Sequence, residues 1–138
     1  MCDVSELPEL SEATSYYEID KERRLVTSTA SGVITLPEIW AHQERLASDP
    51  DFDPSFAQLL DITQVSKVKL SSEEIRRAAG RSVLAINTRL AIVVSSSFVY
   101  GLARMFQILR EVNGDEGIHV FRERDEALAW VLGGEGTD

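Results

Sequence analysis

Two histidines, a run of aspartates and a pair of adjacent serines are the residues of this 138-residue chain whose types and spacing could do chemistry. A catalytic or zinc pair would need His42 and His119 to converge with a carboxylate or thiolate. No His-x-x-x-His or Cys-x-x-Cys supplies that arrangement, so both read as unrelated structural histidines. Asp49, Asp51 and Asp53 have the opening spacing of a calcium loop. Pro54, however, stands where glycine must turn and Leu60 where the bidentate glutamate belongs. Helix termination by Asp-Pro is the better account, and no metal site is expected. The three-glycine dinucleotide fingerprint, the Gly-Lys-Ser/Thr phosphate loop and the Gly-x-Ser-x-Gly elbow are all missing from the sequence. No cofactor is expected and the chain reads as a non-enzyme. An enzyme would have to assemble dispersed groups, such as His42, Asp61 and Arg104, in one cleft.

Ser71 and Ser72 carry more. Ser71 and Glu74 have the spacing of a capping box, in which each side chain satisfies a free backbone amide of the other. The same helix start offers free amides and a partial positive charge, so an added phosphate could be accommodated there. Glu73 and Glu74 would repel it at close range, and capping alone accounts for a serine at this place. Asp61 and Thr63, at the end of the preceding strand pattern, complete this candidate phosphorylation or partner site.

The elements that must position these residues follow from periodicity. Thr14 to Asp20 and Leu25 to Ser31 alternate as strands across a polar turn at Lys21–Arg24, which predicts an antiparallel hairpin. Gly32 allows a bend before Val33 and Ile34. Leu36, Ile39, Trp40, Gln43, Leu46 and Ala47 recur at helical spacing behind Pro37. Phe56 to Ile62 reads as a buried strand, and Ile75, Ala78, Ala79, Ser82, Val83 and Ile86 as one helical face. Leu90 to Val94 is apolar throughout, as a strand covered on both faces would be. Ser95 to Ser97 cap a third helix whose core stripe is Phe98, Leu102, Met105, Phe106, Leu109 and Val112, stopped at Asn113-Gly114. Ile118 to Phe121 is a last strand and Glu126 to Leu132 a last helix. The order β-β-α-β-α-β-α-β-α predicts a mixed, mainly parallel sheet of four or five strands with four helices.

Length fits one domain, over 14–133, between an acidic arm (1–13) and a disordered tail (134–138). Before Lys21 the chain holds Asp3, Glu6, Glu9, Glu12, Glu18 and Asp20 with no basic residue. A formal charge of −9 repels phosphate backbones and anionic headgroups, so nucleic acid and bulk membrane are not expected partners. Cys2, the single cysteine, has no partner for an internal disulfide. With no charged start followed by an apolar run, and no apolar stretch of spanning length, a cytoplasmic location is expected. Apolar residues on the third helix and at Ala127–Leu132 exceed one narrow face, which suggests a homodimer surface or a lipophilic groove.

Several segments together resemble the SpoIIAA-like proteins of bacteria, whose fold is related to the STAS domain of anti-sigma-factor antagonists. They are Gly32-Val33-Ile34-Thr35, Asp49-Pro50-Asp51-Phe52-Asp53, Gln58-Leu59-Leu60-Asp61-Ile62-Thr63, Leu70-Ser71-Ser72-Glu73-Glu74-Ile75-Arg76 and Tyr100-Gly101-Leu102-Ala103-Arg104-Met105. Val120-Phe121-Arg122, with Glu126-Ala127-Leu128-Ala129-Trp130 behind it, completes the set, which covers nearly all of the chain after residue 14. The resemblance implies a STAS-like fold without established enzymatic activity. In true antagonists an Asp-Ser-Ser-Gly motif opens the second helix and its serine is phosphorylated by a partner kinase. Here the stretch reads Leu70-Ser71-Ser72-Glu73, without the aspartate or the glycine, so the resemblance does not carry the switch across. It also implies carriage of lipophilic ligands. Two expectations follow. The first is a non-catalytic STAS-like regulatory module that recognises a protein partner around the second helix. The second is a carrier of a small lipophilic molecule in a groove between the second and third helices, lined by Ile75, Val83, Phe98, Leu102 and Phe106. A regulator should show little void volume, and a carrier should hold a cavity.

Overall fold

The computed structural model describes residues 13–133, apart from Val83 and Ile86. The acidic arm to residue 12, Cys2 and the tail from 134 lie outside the described residues, while Ala13 already belongs to the first strand. The hairpin forms as expected from β1 (Ala13–Asp20) and β2 (Leu25–Thr35), paired antiparallel from Ala13↔Gly32 to Asp20↔Leu25. In its turn Arg24 takes a φ of 55°, the left-handed conformation that such reversals use.

Helix α1 (Leu36–Ala47) begins where the Thr35 hydroxyl accepts the Glu38 amide, with Pro37 in the first turn. It stops just before Asp49-Pro50. After it come β3 (Ala57–Lys69), α2 (Ser72–Ala79), β4 (Leu90–Val93), α3 (Ser97–Val112), β5 (Ile118–Phe121) and α4 (Arg124–Val131). The sheet order is β1-β2-β3-β4-β5, with every pair after the hairpin parallel. Because that order never reverses, right-handed crossovers put α1, α2 and α3 on one face of the sheet. Helix α4 follows the last strand and closes the other face. No helix among the described residues is long and apolar enough to cross a membrane.

Alternation along each strand separates the two faces. Leu25, Leu59, Ala91, Val93 and Phe121 pack under Ala127, Trp130 and Val131 of α4. On the other side Ile62, Ile92 and Ile118 meet Val99 and Ala103 of α3, while Val26 meets Leu46 of α1 and Phe56.

Four expectations need correction. The third strand does not end at Ile62 but runs to Lys69, where its outer part pairs with β2 alone. Gly32 is not a bend between elements. It sits at positive φ beside a register shift inside a continuous β2, a bulge that only glycine takes without strain. Helix α2 stops at Gly80 rather than continuing to Ile86, and the amide of Ala85 instead bonds the carbonyl of Pro54. Glycine costs about 1 kcal/mol inside a helix, so the chain leaves the helix there.

The last correction concerns α3, whose stripe is rotated from the expected core face. Val99, Ala103, Gln107 and Arg110 point inward, while Phe98, Met105 and Val112 are exposed. The apolar run of α4 is mostly used as core: Ala127, Trp130 and Val131 are buried and Leu132 stays exposed.

Candidate functional site

A cavity of about 240 Å³ lies between the sheet and helices α1, α2 and α3. Its floor is the alternating set on β2, β3 and β4, including Leu60, Ile62 and Ile92, and its walls include Ile75, Leu102 and Phe106. Three of the five residues expected to line an apolar groove are therefore brought together. Phe98 is not among them, because it points outward and Val99 takes the inward position. Val83 lies outside the described residues. The cavity is broader than a groove between two helices, since Ile39, His42 and Leu46 of α1 also line it.

One end of this cavity is polar. Ser28, a fully buried hydroxyl on β2, accepts a hydrogen bond from Gln58 Nε2 at 2.6 Å and lies 3.1 Å from His42 Nε2. A Ser28 hydroxyl that donates to Nε2 leaves the imidazole proton on Nδ1, and one that accepts from Nε2 leaves Nδ1 an acceptor. His42 Nδ1 and Gln43 Oε1 are both buried without a hydrogen-bond partner among the described residues. Burial, and to a smaller degree the charge of Arg45, pushes the His42 imidazole below its usual range, so the ring is neutral at neutral pH. The edge of the ring meets Tyr17 at 5.7 Å between centroids.

The opposite wall holds a buried ion pair. Arg110 bonds Asp115 at 2.5 Å and the carbonyl of Ala79 at 2.6 Å. The second oxygen of Asp115 accepts the amides of Asn87 and Gly117. Burial pushes the Asp115 carboxyl up. The Gly117 amide, the Arg110 side chain and the Asn87 amide outweigh it and hold the group below the usual carboxylate range. The guanidinium is thus spent on the fold, tying the end of α2 to the end of α3 and the start of β5. The other charged lining residues, Glu38 and Arg81, are exposed, and Arg81 lies over the Trp40 ring.

The serine site is not a single site. Ser71 caps α2 as expected: its hydroxyl accepts the Glu74 amide at 3.1 Å, and the Glu74 carboxylate accepts the Ser71 amide at 3.0 Å. Asp61 and Thr63 are elsewhere. The long β3 places Asp61 eight residues before Lys69, roughly 26 Å back along an extended strand. There its carboxylate accepts the amide and hydroxyl of Thr63 and pairs with Arg124 of α4 at 2.5 Å. Burial raises the Asp61 carboxyl, but Thr63 and Arg124 together hold it low.

The residues that an enzyme would have gathered are also apart. His42 bonds Ser28, Asp61 pairs with Arg124, and Arg104 bonds Gln107 at 2.7 Å. His119 stacks on Trp130, 4.5 Å between centroids, across the sheet from His42. No cluster of three metal-ligating side chains occurs among the described residues.

Sequence reasoning missed Ser28, Gln58 and the Arg110–Asp115 pair. Gln58 left a signal, as a polar residue inside the apolar run Phe56–Ile62, and Gln43 left another, as a polar residue on the apolar stripe of α1.

No family model matches the chain, and no curated protein matches it. Solved structures do. An anti-sigma factor antagonist from Mycobacterium paratuberculosis superposes with a TM-score of 0.51 at 16% identity, covering 88% of this chain and 96% of the other. An uncharacterized protein of the DUF3478 family from Shewanella loihica PV-4, with a SpoIIAA-like fold, gives 0.57 at 17% identity, covering 86% and 93%. The fold is therefore SpoIIAA-like, as the resemblance implied.

Proposed function

We propose that this SpoIIAA-like chain is a non-catalytic binding module whose cavity receives one small, uncharged, largely apolar molecule. The observation that carries this reading is the cavity of about 240 Å³ with two buried, unpartnered polar atoms in its lining residues. An apolar cavity of about 150 Å³ is enough to hold a benzene ring, so the space suits a ring compound or a short acyl chain. His42 and Gln43, lining residues that each hold a buried unpartnered polar atom, suit a ligand with a hydroxyl or an amide, groups that both donate and accept. With His42 neutral, Arg110 already paired and Arg81 at the exposed edge, a carboxylate placed deep in the cavity would be desolvated without compensation, which favours neutral ligands.

The test is mass spectrometry of the intact protein from its native host, under native and then denaturing conditions. A non-covalent mass lost on denaturation, and absent from the cavity-filling variant Ala103→Trp, is the expected result. A bare polypeptide mass in both spectra would count against the carrier. Nile red, a neutral apolar dye, gives a second readout: its fluorescence should rise with the wild type and not with Ala103→Trp.

A second reading is regulation through a protein partner at α2. It is favoured by the likeness to an anti-sigma factor antagonist and by the exposed, charged face of α2 at Glu73, Arg76 and Arg77. A phosphoryl increment mapped to Ser71 or Ser72 in the same spectra would support a switch at this helix. Ser71 already spends its hydroxyl on the cap, which leaves Ser72 as the freer acceptor.

A further inference from the structure

The outward face of α3 carries a stripe with its own period. Phe98, Gly101, Met105, Ile108 and Val112 are spaced by three, four, three and four residues, the repeat of a two-helix seam. At about 100° per residue they fall within roughly 80° of arc. All are exposed: Phe98 by 68%, Met105 by 39%, Ile108 by 49% and Val112 by 77%, and a side chain added at Gly101 would meet nothing within 4 Å. This stripe is separate from the cavity, which the same helix lines with Val99, Leu102, Ala103 and Phe106.

We propose that this face pairs with the same face of a second copy of the chain, the two α3 helices running antiparallel about a two-fold axis. Three features of the stripe are self-complementary in that arrangement and in no parallel one. Met105 of each copy meets Ile108 of the other in two central layers. In the flanking layers Gly101 lies opposite Val112, so the position with open space faces the most exposed side chain of the stripe. Along one border stand Arg104 and Glu111, one heptad apart, and antiparallel pairing brings each opposite the other's counterpart with opposite charge. Within one chain these two already share Gln107, which accepts from Arg104 at 2.7 Å and donates to Glu111 at 3.1 Å. The seam thus has a polar rail beside its apolar row. Net charge does not oppose it locally: α3 carries Arg104, Arg110 and Glu111, a formal +1 within a chain of −9.

The experiment is sedimentation of the full chain across a concentration series reaching about 100 µM, where a mass of twice 15.4 kDa is expected. Ile108→Asp buries a carboxylate in the central layer and should weaken association about 100-fold with the circular dichroism unchanged. Arg104→Glu and Glu111→Arg should each weaken it about 10-fold, and the two together in one chain should restore it. A wild-type monomer at every concentration overturns the proposal. Phosphatidylcholine vesicles floated with that monomer would then assign the stripe to a lipid surface. A dimer indifferent to both Ile108→Asp and the charge reversals also overturns it, because the seam would lie elsewhere. The part of the Nile red signal that Ala103→Trp abolishes, which reads the cavity, should be the same in the Ile108→Asp monomer, so the two proposals fail independently.

Discussion

The two faces of the sheet are built from the same five strands to opposite ends. Under α4 the strands present Leu25, Leu59, Val93 and Phe121 to Ala127, Trp130 and Val131, and all of these are buried. Arg89 adds to the closure by donating to the Trp130 carbonyl and lying over the Trp130 ring. Under α1, α2 and α3 the strands present Ser28, Gln58 and Leu60 beside Ile62 and Ile92, and the three helices leave a cavity. A single helix can sink into the concave side of a twisted sheet. Three helices held by short crossovers must also pack against each other, and here part of that space is spanned by a salt bridge and a serine–histidine contact. The first face is closed by one helix, and the second holds the cavity to which the proposed binding is assigned.

The sharpest way to break this contrast is to empty the filled face. Trp130→Ala should cost about 3–5 kcal/mol, read as a lowered urea midpoint. Arg110→Met, which strands the buried Asp115, should cost about 3 kcal/mol, and the further loss on adding Asp115→Ala should be smaller than the loss from Asp115→Ala alone. A matched pair then tests the contrast directly. Ala127→Val adds two methyl groups where none fit and should destabilise by about 1–3 kcal/mol, whereas Ala103→Val adds them beside the cavity and should change stability by less than about 1 kcal/mol. Equal costs would mean that the two faces are packed alike. Ser71→Ala, on the exposed rim of the second face, should cost about 1 kcal/mol through the lost cap.

The smallest effect is a pH dependence. His42 titrates lower folded than unfolded, so the unfolded chain binds a proton more readily as pH falls. Its contribution is full above about pH 6.5 and declines as the pH drops through the depressed folded value. Wild type should therefore lose stability between pH 7.5 and 5.5 more steeply than His42→Gln in urea titrations. Asp61 and Asp115, held low, add a further loss only in the acid range, as pH falls through their folded values.

How much of this was legible in sequence depended on whether local pattern or distant partner decided each residue. The hairpin, the crossovers and the capping box were readable, because alternation, Pro37 and the Ser71/Glu74 spacing act over a few residues. The outer half of β3 was not, since Val65 and Val68 stand three apart and the polar Ser66, Lys67 and Lys69 between and after them spoil the alternation. That segment is a strand because β2 pairs with it, across a bulge at Gly32 that shifts the register. The α3 stripe was found but turned the wrong way. Its apolar residues outnumber the inward ones, and nothing local says that Gln107 will be buried or that Arg110 will find buried partners at Ala79 and Asp115. The cavity was legible only as a surplus of apolar residues and two polar ones out of place.

The same outer half of β3 bears on how the protein stays dispersed in solution. Beyond Asp61 the strand has lost β4 as a neighbour, and past Thr63, whose carbonyl accepts the Ser95 hydroxyl, that side of the strand is, among the described residues, an edge on which another chain could pair. Lys67 and Lys69 are exposed there, in a protein otherwise dominated by carboxylates. Two like charges at alternate positions repel an identical strand brought alongside in register and discourage edge-to-edge growth. Acetylation of those lysines would remove that repulsion and should make the chain associate more readily, as light scattering would read.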